Sequence, residues 1–256
     1  MLTALMVAVG LLVGLLVGCV GIGGIILIPA MTLLLSMSSH VAMGTALFSF
    51  IFSSLLGVAL YIRRGRVDWK TAIPLCLGGV PFAYAGAVCK AYTAAPYLNL
   101  LLGCLILVAG GLVFRPVQGR ERAFMREGTP WRARCLFLIG AGTSFICAMT
   151  GAGGPVLSIP IMLALGCPAV STVAAGLVFS VVVAVSGSFG NIQHQAVDWF
   201  AGGWLTLVQM VGIAMGSALV DRLNAGMIRR LAAWLCLISG SYIFIIGCLG
   251  IIGHEG

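Results

Sequence analysis

No aspartate, glutamate, lysine or arginine precedes Arg63, and between Arg134 and Asp221 the only such residue is Asp198. Charged residues make up 8% of the 256-residue chain, whereas soluble domains carry about 25%. A water-facing surface cannot be covered from that set. The nine cysteines contain no Cys-x-x-Cys pair and most sit inside apolar runs, where cysteine behaves as a small hydrophobe. A disulfide framework and a metal site are therefore not expected. No basic stretch precedes Leu16-Val17-Gly18-Cys19, which otherwise has the look of a processing site, so this segment is read as retained. The phosphate-cradling pattern G-x-x-x-x-G-K-[ST] is missing as well, which excludes ATP-driven work by this chain alone.

What fills the chain is apolar sequence: 61% of residues are hydrophobic and the mean hydropathy is +1.16. Uncharged apolar runs beyond about 18 residues read as membrane spans. They fall at 2–36, 40–62, 70–89, 95–114, 135–166, 169–192, 199–220 and 231–252. The fold class expected is thus an all-α polytopic membrane protein. The net charge of +8 sits in short segments between runs, as the positive-inside rule places it, and nucleic acid is not an expected partner.

Runs 2–36 and 135–166 are too long for one crossing. About 33 helical residues would reach about 50 Å, against a hydrocarbon core of about 30 Å. Each holds a glycine cluster and then a proline, Gly21-Ile22-Gly23-Gly24 with Pro29 and Gly151-Ala152-Gly153-Gly154 with Pro160, one residue further on in the second copy. Phe48-Ser49 and Phe179-Ser180 follow, then Val67-Asp68-Trp69 and Val197-Asp198-Trp199, with Gly86 matching Gly216. Shared landmarks in one order mark an internal duplication. The expected organisation is a first repeat over 1–114, a basic cytoplasmic linker over 115–134 and a second repeat over 135–256. If each long run enters and returns, as a hairpin or as two short helices, the segments 63–70, 115–134 and 221–230 all lie on the cytoplasmic side. The repeats are then inverted, each a glycine-broken hairpin plus three transmembrane helices.

Paired interruptions of this kind point to the solute site of a transporter. A helix that starts at the break presents unpaired N–H groups and its positive end there, which suits a small anion. The candidate binding residues are Gly21, Gly23, Gly24, Ile25, Gly151, Gly153, Gly154 and Pro155, with the hydroxyls of Thr45, Ser49, Thr150 and Ser180. Gly10, Gly14 and Gly18, and Gly212 and Gly216, are read instead as helix-packing positions. Asp68-Trp69 and Asp198-Trp199 are read as helix caps followed by interfacial aromatics. His40 and His194 are read as span-end residues.

The duplicated Gly-x-Gly-Gly with its proline, the Phe-Ser pairs and the Asp-Trp pairs resemble the TauE/SafE sulfite-exporter family, over nearly the whole chain. Many members carry a longer glycine run where this chain has Ile25 and Pro155. The resemblance implies a permease for sulfite or a related organosulfur anion in the cell inner membrane, with no cofactor and no enzymatic activity. From the residues follow a small anionic solute and the lipid bilayer as partners, with homo-oligomerisation left open. The competing reading is a membrane thiol-redox carrier using Cys19 and Cys147, which lie just before the two breaks.

Overall fold

The structure is a computed structural model that describes residues 2–113, 130–193, 197–220, 222 and 224–252. The described residues form ten helices: α1 (Leu2–Val20), α2 (Gly24–Leu34), α3 (Ser39–Arg63), α4 (Trp69–Lys90), α5 (Ala95–Val113), α6 (Pro130–Thr150), α7 (Pro155–Ala164), α8 (Ala169–Gln193), α9 (Trp199–Val220) and α10 (Ala225–Ile252). Five of them, α3, α4, α6, α8 and α9, are long and apolar enough to cross a membrane, and shorter apolar helices accompany them. The protein is an all-α polytopic membrane protein. The core of the expected basic linker, 114–129, lies outside the described residues, as do His194 and Asp221.

Both long runs are interrupted at their glycines. After α1 the chain turns at Gly21 (φ 76°) and doubles back, so that a methyl group on Gly23 would sit 2.7 Å from the Val13 carbonyl oxygen. After α6 it turns at Gly151 and Gly153 (φ 68° and 80°). These φ values belong to the left-handed region that glycine enters without a Cβ penalty.

Helices pack where glycines let backbones approach, as is usual when lipid removes the hydrophobic drive between helices. α1 lies along α9 in the same direction, Gly10 against Val208, Gly14 against Gln209 and Gly18 against Ile213, with Gly212 and Gly216 returning the contact to Leu11 and Leu15. The packing reading of these glycines therefore holds. α4 lies along α6 in the same way, Gly78 and Gly140 each set on the facing backbone and Gly86 on that of Phe145. α3 also runs parallel to α9: Asp198 N–H donates to Thr45 Oγ1 at 2.9 Å at one end, and Arg64 donates to the Ser217 carbonyl at the other. α3 and α8 cross in opposite directions, Leu47 on Gly187, Ser54 on Ser180 and Leu177 on Gly57. α5 and α10 are antiparallel too, Gly103 against Phe244 and Gly247 against Leu100.

Asp68 caps α4 by accepting from Lys70 N–H at 3.0 Å, and Asp198 caps α9 through Phe200 and Ala201 N–H, both at 3.0 Å. Trp69 and Trp199 are exposed beside them. Arg63, Arg64 and Arg66 at the end of α3, and Arg222 after α9, share one end of the molecule. Arg132 of α6 joins them, donating to Thr71 at 2.7 Å and pairing with Asp68 at 3.5 Å. At the opposite end Lys90 is the last residue of α4. It is 2% exposed, and its Nζ donates to the His40 carbonyl at 3.1 Å.

Helix boundaries correct one landmark of the expected duplication. Residues 130 places apart correspond at the starts of α3 and α8 (Ser39, Ala169) and of α4 and α9 (Trp69, Trp199). The second turn carries one residue more, but α7 is one residue shorter than α2, with 10 against 11 residues. The shift is therefore cancelled before α3 and α8 begin. Ser49 corresponds to Phe179 and Phe50 to Ser180, so the two Phe-Ser pairs are one position out of register, about 100° around a helix.

Candidate functional site

The two breaks meet between the halves. A methyl group on Gly24, the first residue of α2, would lie 2.5 Å from the Ala152 carbonyl oxygen of the second break and 2.8 Å from the Phe50 ring. One on Gly153 would meet the same ring at 3.4 Å. Phe50, buried in α3, thus closes over both turns. Gly21 packs on Ile159 and Val173, and Gly151 on Met43, whose counterpart 130 places on is Val173. Gly154 lies against the Phe179 ring at 2.7 Å for an added methyl group. The residues from Gly21 to Gly24 and from Gly151 to Pro155 are all buried; Ile25 is the second residue of α2, and its side chain lies outside the described ones.

α2 and α7 both begin at this meeting point. α2 has the apolar Gly23 before it and no side-chain cap; α7 has Gly154 before it and Pro155 at its first position, where a missing N–H forfeits no helical bond. The first N–H groups of a helix lack partners within it. The helices leave in opposite directions, α2 toward the end where α3 begins and α7 toward the end where α8 begins. Two positive helix ends are therefore aimed at one enclosed point.

The hydroxyls singled out in the sequence do not gather there as a set. Thr45 is tied to the start of α9 through the Asp198 N–H. Thr150 donates into its own helix, to the carbonyl of Ile146 at 2.9 Å. Ser49 donates to the Ala46 carbonyl at 2.8 Å and accepts from Gln209 Nε2 at 3.2 Å. Ser180 pairs with Ser54 at 3.0 Å across the crossing of α3 and α8. One hydroxyl of that pair keeps a proton to donate. Cys19 donates to the Gly216 carbonyl at 3.2 Å and Cys147 approaches that of Gly154 at 3.9 Å, so each thiol is bound to a different piece of backbone.

Residues that sequence reasoning did not single out are Phe50, Ser54, Phe179 and Gln209. Gln209 is fully buried at the middle of α9, and its Oε1 has no hydrogen-bond partner; Asn191 Oδ1 and Ser188 Oγ on α8 share that condition. A single uncharged amide in the middle of an apolar run was the available signal for Gln209. For Phe50 and Phe179, aligning the halves by the Asp-Trp pairs instead of the Phe-Ser pairs would have shown the true register.

The family described as Sulfite exporter TauE/SafE matches residues 6–243. Among curated relatives, the probable membrane transporter protein YdhB of Bacillus subtilis (strain 168) is 28% identical over 76% of this chain and 81% of its own length. The probable membrane transporter protein YjnA of the same organism is 26% identical over 91% of this chain and 96% of its own. The probable membrane transporter protein MJ0441 of Methanocaldococcus jannaschii is 25% identical over 63% and 62%. No solved structure matches the chain.

Proposed function

The chain belongs to the sulfite exporter TauE/SafE family, and from that premise we propose that it is a secondary permease for a small anion, sulfite or a related organosulfur anion, held where the two glycine breaks meet. The observation that carries this reading is the convergence of the α2 and α7 N-termini, from opposite directions, on one buried point. Each helix end contributes about half a positive charge at the meeting point. Together they hold an anion without a buried lysine or arginine, which would be costly in the bilayer and slow to release its cargo. The Ser54–Ser180 pair adds a hydroxyl donor close to the crossing of α3 and α8.

The same reading makes 1–114 and 135–256 inverted repeats joined by the basic segment 115–134. Its support is that helices 130 places apart run in opposite directions, as α3 and α8 do at Ser54 and Ser180. The end carrying Arg63, Arg64, Arg132 and Arg222 is then the cytoplasmic one of an inner-membrane protein. Rocking one repeat against the other opens the glycine site alternately to each side.

The test is flux in proteoliposomes across sulfite, thiosulfate, sulfate, sulfoacetate and simple carboxylates, with Gly23→Leu and Gly153→Leu beside the wild type. Both variants are expected to insert yet lose flux of whichever anion the wild type carries. Unchanged flux in inserted protein removes the site from the breaks.

A further inference from the structure

At one place in the core, equivalent positions of the two halves are filled by opposite chemistry. Phe179 of α8 covers the bare backbone of Gly79 in α4, where a methyl group would come within 2.7 Å of the ring. The residues 130 places away from these, Ser49 of α3 and Gln209 of α9, meet instead through a hydrogen bond of 3.2 Å. A large ring over glycine and a small hydroxyl under a long amide both fill the gap between the helices. Only the second pair leaves a polar atom over.

That atom is identified by the bonds around it. Ser49 Oγ lies 2.8 Å from the Ala46 carbonyl, and a carbonyl cannot donate, so the hydroxyl proton is spent there. The group Gln209 turns toward Ser49 must then be its NH₂, which fixes the amide orientation. Oε1 is left over, in a side chain with no exposed surface and with no partner. The neighbouring hydroxyls are already engaged: Ser53 donates to the Ser49 carbonyl at 2.8 Å and Thr206 to that of Gly202 at 2.6 Å. A buried acceptor without a donor is rare in native cores.

Its position is level with the breaks. Gln209 backs onto Gly14 of α1, whose neighbour Val13 offers the carbonyl against which Gly23 rests. Ser49 adjoins Phe50, whose ring touches Gly24 and Gly153. The breaks thus present positive helix ends to negative oxygens, while Gln209 presents an unpaired side-chain acceptor. We propose that Gln209 is a binding residue of the permease and that its Oε1 selects anions carrying a hydrogen-bond donor of their own. Hydrogensulfite and hydroxyl-bearing sulfonates are of that class; sulfate dianion and plain alkylsulfonates are not. This rests on the permease reading above.

Sulfite flux into proteoliposomes is measured against two competitors of equal charge, isethionate and ethanesulfonate, which differ by one hydroxyl. Isethionate is expected to inhibit the wild type at about tenfold lower concentration, the worth of one added hydrogen bond to a buried acceptor. Gln209→Leu is expected to bring the two inhibition constants together. That ratio separates recognition from a packing role, which would lower flux without changing selectivity. Equal inhibition by the pair, inhibition by neither, or an unchanged ratio in the variant overturns the assignment. The wild-type ratio decides where the variant fails to insert. If no anion moves at all, the permease reading fails and the Gln209 role with it. If sulfite moves but the pair is not separated, only the Gln209 role fails.

Discussion

The two breaks do the same job with different means. The first passes from α1 to α2 in three residues and needs one left-handed glycine, Gly21. The second passes from α6 to α7 in four and needs two, Gly151 and Gly153. The additional residue is taken up by the additional left-handed turn, and α7 then starts on proline where α2 starts on glycine. Glycine is therefore required for different reasons at matching positions. At Gly23 the backbone lies outside the left-handed region (φ −162°) and the need is space, since a methyl group would meet the Val13 carbonyl and the Val17 side chain. At Gly153 there is ordinary room, 3.4 Å to Phe50, and the need is conformation.

The largest effect should come from Gly151→Ala, and its counterpart Gly21→Ala tests whether the breaks are unequal. Both residues are left-handed, which charges any other residue about 1–2 kcal/mol. Beyond that they differ in what stands in the way. Gly21 faces Cδ1 of Ile159, the far end of a flexible side chain, whereas Gly151 faces the backbone of Met43. Backbone cannot swing aside, so Gly151→Ala carries a further overpacking term of about 1–3 kcal/mol. Thermal unfolding in detergent should place its midpoint clearly below that of Gly21→Ala. Equal midpoints would mean that the second break yields as readily as the first.

Much of this arrangement was legible in the residues. The excess length of runs 2–36 and 135–166 required interruptions, and the glycine clusters showed where. The packing glycines Gly14, Gly18, Gly212 and Gly216 and the caps Asp68 and Asp198 followed from spacing alone. The register of α3 against α8 did not. A one-residue surplus in the second turn and a one-residue deficit in α7 cancel without leaving a mark on the flanking landmarks, and the chance Phe-Ser pairs concealed it. The burial of Lys90 was hidden for a related reason: its partner is a main-chain carbonyl, at His40, and backbone acceptors carry no sequence signature. Gln209 was passed over because one amide in an apolar helix acquires meaning only from its neighbours across the helix contact.

A smaller effect, but a sharper discrimination, comes from asparagine at the matched pair. Asparagine tolerates the left-handed region better than alanine does. Where conformation is the constraint, Gly153→Asn should be less destabilising than Gly153→Ala, by a fraction of about 1–2 kcal/mol. Where space is the constraint, the order should reverse, and Gly23→Asn should be worse than Gly23→Ala because more atoms must fit beside Val13 and Val17. A crossed pattern in unfolding midpoints supports different causes at the two positions. The same order at both would show that a single cause, crowding or strain, governs the breaks together.

The smallest effect is expected at Pro155. Its ring restricts the unfolded chain at a place where the native φ suits proline, a gain of about 0.4–1 kcal/mol that Pro155→Ala would remove. A backbone N–H at this position has no partner within α7, so alanine adds no helical bond in return. The reciprocal change is not open to the first break. Gly24 occupies the same first helical position in α2, but any Cβ there runs into the Ala152 carbonyl at 2.5 Å and the Phe50 ring at 2.8 Å. Bare backbone at the start of α2 is thus what lets the first break approach the second this closely. Gly24→Pro should therefore disrupt the site that Pro155→Ala leaves standing.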